Sequence, residues 1–368
     1  MGMMNVCLSH DTAFHWLMRN RNPRRRGLNS NARVLPLSSP SRSQSRVILA
    51  GLSLDDDVVE VLVCRSNGRR HSGCVKSHLS GTAYPSGSFV RVPVSGIAGV
   101  YSASPELVFR QIAAKRSLLE TVYVGYALCS SYRVDDKADG GIALREGDDE
   151  PLTTVERIED YLRKTEGSYG CAKARRALSY VREGSTSPME SALAMGLGLP
   201  LALGGFGAGD IVLRNAAHKE DADERSGNRA RQRCLSVRMD DTRCGKQPVS
   251  MVVLGPCDVK CDCAGPGVAE DGACDVAKLM GHPDVSVTAS QVYEFSAYVQ
   301  LCEKICRCLA RRDAEKGRGD RLSGYAPNRR EAIRSRQAEL WRTLVCFSSF
   351  RQAETGGCVE VFDVPVFE

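Results

Sequence analysis

The residues best suited to chemistry lie in one stretch, Gly167 to Gly198, where a basic helix precedes a helix with a single acid. Ser187, Pro188 and Glu190 fit the N-cap, first and third positions of that second helix. Two interpretations of Glu190 therefore stay open. Its carboxylate either bonds back to the Ser187 amide as half of a capping box, or it serves an active site.

The basic helix offers a possible contact with nucleic acid. Lys173, Arg175, Arg176 and Arg182 give part of this segment a strong positive charge. We predict that these four residues meet phosphate groups, and a solvated helix face is the alternative. The arginine-rich segment RNPRRR, residues 21–26, allows the same two interpretations.

Four cysteines form a candidate structural zinc site. Their spacing is C-x3-C-x-C followed by one more cysteine, at Cys257, Cys261, Cys263 and Cys274. The usual C-x2-C knuckle is absent, and the same triplet recurs in a predicted helix, where its members do not share one face. The 16 cysteines are spread over the chain, which indicates reduced thiols rather than a disulfide scaffold.

Length and charge limit the class of protein. The 368 residues are enough for two domains. The 50 basic and 44 acidic residues are interspersed, so the net charge of +6 permits DNA binding without requiring it. Because no apolar run approaches ~18 residues and no secretory signal is evident, we expect a cytoplasmic protein without a membrane partner.

The elements that must position these residues follow from hydrophobic periodicity and capping signals. Strands are predicted at Val58 to Cys64, Cys74 to Leu79, Ser88 to Val94 and Val249 to Leu254. Helices are predicted at 5–19, from Ser104 to about Ser117, and at 118–129, 155–164, 291–312 and 328–344. Asp135 to Pro151 is expected to be a loop, and Leu199 to Asp210 a glycine-rich connection without a phosphate-binding pattern.

The order of several motifs resembles a family of actinobacterial proteins. The motifs are SHLSG, GSFVRV, VYSASPELVFRQIA, LTTVERIEDYLRKTEGSYGCAKARRALSYVREGSTSPMESALAM and LGGFG. The family looks like a fusion of an abortive-infection-type antitoxin module with a nuclease domain similar to very-short-patch-repair endonucleases. The match runs from about Leu8 to Leu199 and resumes at Cys257 and at Val285 to Leu344.

The resemblance implies an α+β chain with a restriction-endonuclease-like α/β/α core. It implies a small N-terminal α/β module that is winged-helix-like or antitoxin-like, then a helical connector, a degenerate nuclease domain, and a C-terminal helix with a tail. The implied bounds are 1–140 (with 20–46 linker-like), 141–186, 187–312 (with a disordered insertion at 213–247) and 313–368.

In such a nuclease, carboxylates converge on Mg²⁺, which stabilises phosphate charge and activates water. The resemblance places Glu190 on the helix, Asp258 on a strand and Asp271 on the next strand, with Asp258 and Asp271 as metal ligands. The family's glutamate falls on Ala269, or on Glu270 if the register shifts by one. The turn-like residues Gly265 to Gly267 interrupt the last strand, so we expect a degenerate site.

Two functions follow as hypotheses. The first is a DNA-related protein of a defence or toxin–antitoxin type, with an endonuclease-like domain that requires Mg²⁺ only if its site is intact. The second is a non-enzymatic regulator that binds DNA or a protein partner, with a structural C-terminal half.

Overall fold

The fold is given by a computed structural model. It describes residues 5–24, 26–32, 38–54, 57–69, 71–80, 83–138, 141–145, 151–185, 187–207, 211–215, 234–239, 249–252, 292, 294–314 and 327–347. Two compact units are present: the first contains Met1–Ala138 and Ile142–Glu183, and the second contains Asp139–Gly141 and Gly184–Glu368. No helix in the described ranges combines the length and apolar character needed to cross a bilayer.

The first unit is built on a seven-stranded mixed sheet with the order β2-β6-β7-β1-β3-β5-β4. Pairing is parallel between β1 and β7 and between β3 and β5, and antiparallel elsewhere. The strands are β1 (Val6–Leu8), β2 (Asn29–Ser30), β3 (Val59–Val63), β4 (His71–Ser72), β5 (Val75–Leu79), β6 (Phe89–Arg91) and β7 (Val100–Ala103). A separate hairpin pairs β8 (Tyr132–Val134) with β9 (Ile142–Leu144).

The described part of the first unit has six helices, and four of them begin where a serine or threonine side chain caps them. Ser41 and Ser117 form capping boxes with Gln44 and Glu120, and Ser104 accepts from the Leu107 amide. Together with the sheet, these helices confirm the α+β class. They are α1 (His10–Arg19), α2 (Arg42–Leu52), α3 (Pro105–Lys115), α4 (Leu118–Leu128), α5 (Val155–Lys164) and α6 (Cys171–Leu178).

The second unit contains α7 (Pro188–Gly198), α8 (Phe295–Ala314) and α9 (Pro327–Phe347). It also has an antiparallel sheet of β10 (Ile211–Asn215), β11 (Cys234–Met239) and β12 (Val249–Val252). The buried Tyr298 hydroxyl of α8 donates to the Ala192 carbonyl of α7, at 3.2 Å. The Trp341 indole of α9 donates to the Val292 carbonyl, at 3.0 Å.

The glycine-rich connection serves close packing in the second unit. A Cβ at Gly204 would overlap the Arg336 carbonyl, and one at Gly205 would overlap the Leu199 carbonyl. Gly204 also has a φ of +82°, which an L side chain rarely adopts. These glycines are therefore explained by backbone contact.

Four sequence-based assignments are corrected. Residues Val6–Leu8 form β1 rather than the start of a helix, and α2 begins at Arg42, inside the predicted linker 20–46. The predicted loop from Asp135 contains β9, and the insertion at 213–247, expected to be disordered, contains β11. Strands β1 and β11 pair with strands from other segments, and β9 pairs with β8, so tertiary pairing rather than local periodicity forms these three strands.

We predict that Gly196→Ala lowers the free energy of unfolding of the second unit by about 2 kcal/mol, because overpacking strains a buried contact. A Cβ at Gly196 would overlap the Tyr298 hydroxyl oxygen. Trp341 fluorescence during denaturant unfolding, in a Trp16→Phe background, measures the effect.

Tyr298→Phe is the second variant of the double-mutant cycle. It removes the overlapping oxygen and loses one hydrogen bond, worth about 1 kcal/mol. The double variant should lose less than the sum of the two single losses. Strict additivity would contradict the contact.

Candidate functional site

A cluster of charged and imidazole side chains lies on one face of the first unit's sheet, under α3. Its centre is Glu60 on β3, and His10 follows β1 by way of Ser9. Lys76 and His78 belong to β5, and the register pairs Glu60 with Lys76 and Leu62 with His78. Since side chains alternate along a strand, Glu60, Lys76 and His78 share one face of the sheet.

Glu60 is a buried carboxylate held by two ammonium groups. Its Oε1 atom lies 2.5 Å from Lys115 Nζ and 2.9 Å from Lys76 Nζ. Its Oε2 atom accepts from the Asp11 amide at 3.3 Å and lies 3.6 Å from His78 Nε2. Burial opposes ionisation, but contacts with His78, Lys115 and Lys76 outweigh it and lower the pKa of Glu60 well below its usual range. Glu60 is therefore an anion at neutral pH.

His10 and His78 stack, with ring centroids 3.7 Å apart and an interplanar angle of 28°. Burial, reinforced by His78, lowers the pKa of His10 from 6.5 to about 3. The backbone at His10 has a φ of +50°, a left-handed conformation that is uncommon outside glycine. His10 Nδ1 lies 3.0 Å from Ser9 Oγ, and the His10 amide donates to Gln111 Oε1 at 3.1 Å. The imidazole is thus neutral and fixed in orientation.

Several buried polar atoms of this cluster have no hydrogen-bond partner within the described ranges. They are His78 Nε2, Gln111 Nε2 and Asp11 Oδ1. A buried polar atom without a partner costs about 1–3 kcal/mol, so such atoms are rare in folded proteins. Their concentration around Glu60 marks this cluster as a site where a polar ligand would be stabilised.

A second feature of the first unit is an open pocket of about 400 Å³ lined by Arg19, Asn20, Arg21, Arg26 and Arg133. The Nη1 atom of Arg19 donates to both carboxylate oxygens of Asp136, at 2.7 and 2.9 Å. Arg133 pairs with Asp135 at 2.7 Å. Arg21 and Arg26 are exposed, and neither has an ion-pair partner among the residues that the structure describes.

Arg145 links two of the elements that line this arginine pocket. This buried side chain donates to the carbonyls of Tyr132 at 3.1 Å, Asn20 at 2.9 Å and Leu17 at 3.4 Å. It therefore ties the end of α1 to β8, the two elements that supply Arg19 and Arg133. The pocket rests on a fixed scaffold rather than on a loop alone.

Glu190 lies where the sequence predicts, three residues after the N-cap Ser187 of α7. Ser187 Oγ accepts from the Glu190 amide at 3.2 Å, so the cap is confirmed. The Glu190 side chain is buried, with the residue only 2% exposed. Burial of a carboxylate is compatible with both interpretations of Glu190.

The predicted basic helix α6 presents its charges unevenly. Lys173 donates to the Arg116 carbonyl at 2.9 Å, and Arg175 pairs with Glu166 at 2.8 Å. Arg182, beyond the helix, donates to the carbonyls of Ser179 and Val181. Arg176 is exposed. Three of the four predicted phosphate contacts thus already bond within the protein.

The remaining predicted site residues, Asp258, Glu270 and Asp271, lie outside the described residues, as do Cys257, Cys261, Cys263 and Cys274. Seven cysteines whose side chains the structure describes form no disulfide: Cys7, Cys64, Cys74, Cys129, Cys171, Cys302 and Cys306.

Sequence reasoning missed the cluster around Glu60. One signal was present, because Glu60 is a lone acid in the otherwise apolar strand VVEVLVC, and a buried acid requires a partner. The partners His10, Lys115 and His78 come from distant segments, so their convergence depends on sheet order and not on spacing.

No protein-family model, curated protein or solved structure matches this chain. The site and its chemistry therefore rest on the geometry given above.

We predict that the first unit loses about 2 kcal/mol of stability through His10 between about pH 7 and about pH 5. The folded-state pKa of His10, about 3, lies below the ordinary 6.5, so its contribution is present above that value and is lost as the pH falls. Glu60 acts in the same direction at lower pH, because its pKa is also lowered.

His10→Asn should abolish most of this loss, since asparagine does not titrate and tolerates a positive φ. Trp16 fluorescence during unfolding, in a Trp341→Phe background with chelator present, measures it. His15→Asn, on the same helix, is the control and should keep the parent's pH dependence. An equal loss in His10→Asn would disprove the assignment.

Proposed function

We propose that the protein binds nucleic acid through the arginine pocket of its first unit. The observation that carries this proposal is the convergence of Arg19, Arg21, Arg26 and Arg133 on one open pocket. Guanidinium groups bind phosphate with two parallel hydrogen bonds, and phosphate contacts supply most of the affinity in DNA recognition.

The charge balance of the pocket supports this choice of ligand. Asp136 and Asp135 compensate Arg19 and Arg133, which orients these two guanidiniums. Arg21 and Arg26 add two exposed positive charges. A polyanion with regularly spaced phosphates would engage the two exposed arginines while the two paired ones shape the wall.

This proposal corresponds to the DNA-binding regulator expected from the sequence, with the contact moved from α6 to the end of α1. The defence or toxin–antitoxin setting rests on the sequence resemblance alone. The same holds for a restriction-endonuclease-like core in the second unit, where β10, β11, β12 and their neighbouring helices supply only its general α+β character.

We predict that Arg21→Ala/Arg26→Ala weakens binding of duplex DNA and lowers the slope of log affinity against log salt by about 2, one unit for each lost phosphate contact. Fluorescence anisotropy at several salt concentrations measures both quantities. Arg42→Ala/Arg46→Ala is the matched control, because it removes two exposed arginines of α2.

The control should retain the parent's slope, and equal losses in both double variants would refute a pocket-specific contact. Arg176→Ala tests the α6 prediction in the same assay. A larger loss of DNA affinity in Arg176→Ala than in the pocket variant would indicate that α6, and not the pocket, binds the DNA.

A second candidate function is Mg²⁺-dependent DNA cleavage by the second unit, which rests on the sequence resemblance and with which the buried position of Glu190 is compatible. Glu190 and Asp258, with Asp271 or Glu270, would hold the ion.

For this candidate we expect plasmid cleavage with Mg²⁺ or Mn²⁺ that Asp258→Ala abolishes, with DNA affinity retained. Cleavage that persists in Asp258→Ala would exclude the carboxylate set. Absence of cleavage, together with salt-sensitive binding, would leave recognition as the function.

A further inference from the structure

Three side chains that can bind a metal ion lie close together in the first unit, although they are far apart in the sequence. A ring nitrogen from each of His10 and His78 and a carboxylate oxygen of Glu60 all lie within 4.8 Å of one another. Two ligands at 2.0–2.1 Å from a tetrahedral zinc ion are about 3.3 Å apart. The separation of 3.6 Å between His78 Nε2 and Glu60 Oε2 is close to that value.

The hydrogen-bonding state of the donors favours an ion over a direct contact. The 3.6 Å separation is too long for a hydrogen bond between His78 Nε2 and Glu60 Oε2. His78 Nε2 is buried and has no partner in the part of the chain that the structure describes. A bound cation would satisfy this nitrogen and the carboxylate oxygen together.

Groups around the donors provide the support that metal sites require. Metal-binding histidines usually bond through their other ring nitrogen to a second group, which fixes the ring. His10 Nδ1 has such a contact with Ser9 Oγ, at 3.0 Å. The Ser9 amide in turn donates to the Glu60 carbonyl at 2.9 Å, so the backbone couples two of the three ligands.

The lysines leave one carboxylate oxygen for an ion. Both ammonium groups contact Glu60 Oε1, whereas Oε2 faces His78. Coordination by Oε2 therefore keeps both ion pairs. The cations lower the affinity for a metal by repulsion, and they favour an anionic or water ligand at an open position. The Gln111 Nε2 donor and the Asp11 Oδ1 acceptor, both buried and without described partners, would bond such a ligand.

We propose that His10, Glu60 and His78 bind a divalent transition metal ion of the zinc class, with an exchangeable position beside Lys76 and Lys115. The donor set of two imidazoles and one carboxylate is that of zinc sites that keep an open position for water. Lys76, with its side chain 43% exposed, connects this position to solvent. The proposal does not depend on nucleic-acid binding.

Titration of chelator-treated full-length protein with Co²⁺ tests the site. We expect the protein to bind one equivalent of Co²⁺. The bound ion should show visible ligand-field bands and no thiolate charge-transfer band, because its ligands are nitrogen and oxygen. This signature separates the site from any bound by the cysteines. Glu60→Gln and His78→Ala should each lose this equivalent, and His15→Ala is the matched control that should retain it.

Lys76→Met makes the test independent of folding defects in the ligand variants. Removing this partly exposed positive charge should strengthen Co²⁺ binding on the order of tenfold. The proposal is overturned if Co²⁺ gives only thiolate bands. It is also overturned if the nitrogen–oxygen equivalent survives in His78→Ala, or if Lys76→Met binds no more tightly than the parent.

Discussion

The first unit depends on the burial of one carboxylate, Glu60, in the middle of its sheet. An isolated buried carboxylate would cost several kcal/mol, so its position requires cations from other elements. Lys76 from β5 and Lys115 from α3 provide them. The Glu60 backbone is engaged as well, since its amide donates to Thr12 Oγ1 of α1 and its carbonyl accepts from Ser9. One residue thereby joins two strands and two helices.

This arrangement explains why a polar centre is retained in an otherwise apolar layer. Replacing Glu60 alone would leave two ammonium groups near a buried surface, and replacing one lysine would leave the carboxylate partly unpaired. The strained backbone at His10 belongs to the same network, because its amide is held by Gln111 of α3. Strain of this kind costs about 1–3 kcal/mol and persists when surrounding contacts determine it. The network therefore fixes the imidazole at the expense of local stability.

The sequence predicts those elements whose signals are local. Ser104 and Ser117 mark the starts of α3 and α4, and the Ser187 cap places α7 correctly. The sequence does not predict β1, because three residues followed at once by a helix show no periodicity. This strand is stabilised by its pairing with β3 and β7. The proposed metal ligands His10, Glu60 and His78 escape prediction for the same reason, since the order of the strands in the sheet brings them together.

The basic residues of α6 and those of the arginine pocket differ in the bonds that they make within the protein. A basic side chain that already bonds within the protein has fewer donors left for a polyanion. Lys173 and Arg182 donate to backbone carbonyls, whereas Arg21 and Arg26 remain exposed beside arginines held by aspartates. Both kinds of residue look alike in the sequence. Since helix ends and turns offer unpaired carbonyls, a basic side chain near them is as readily used for capping as for phosphate binding.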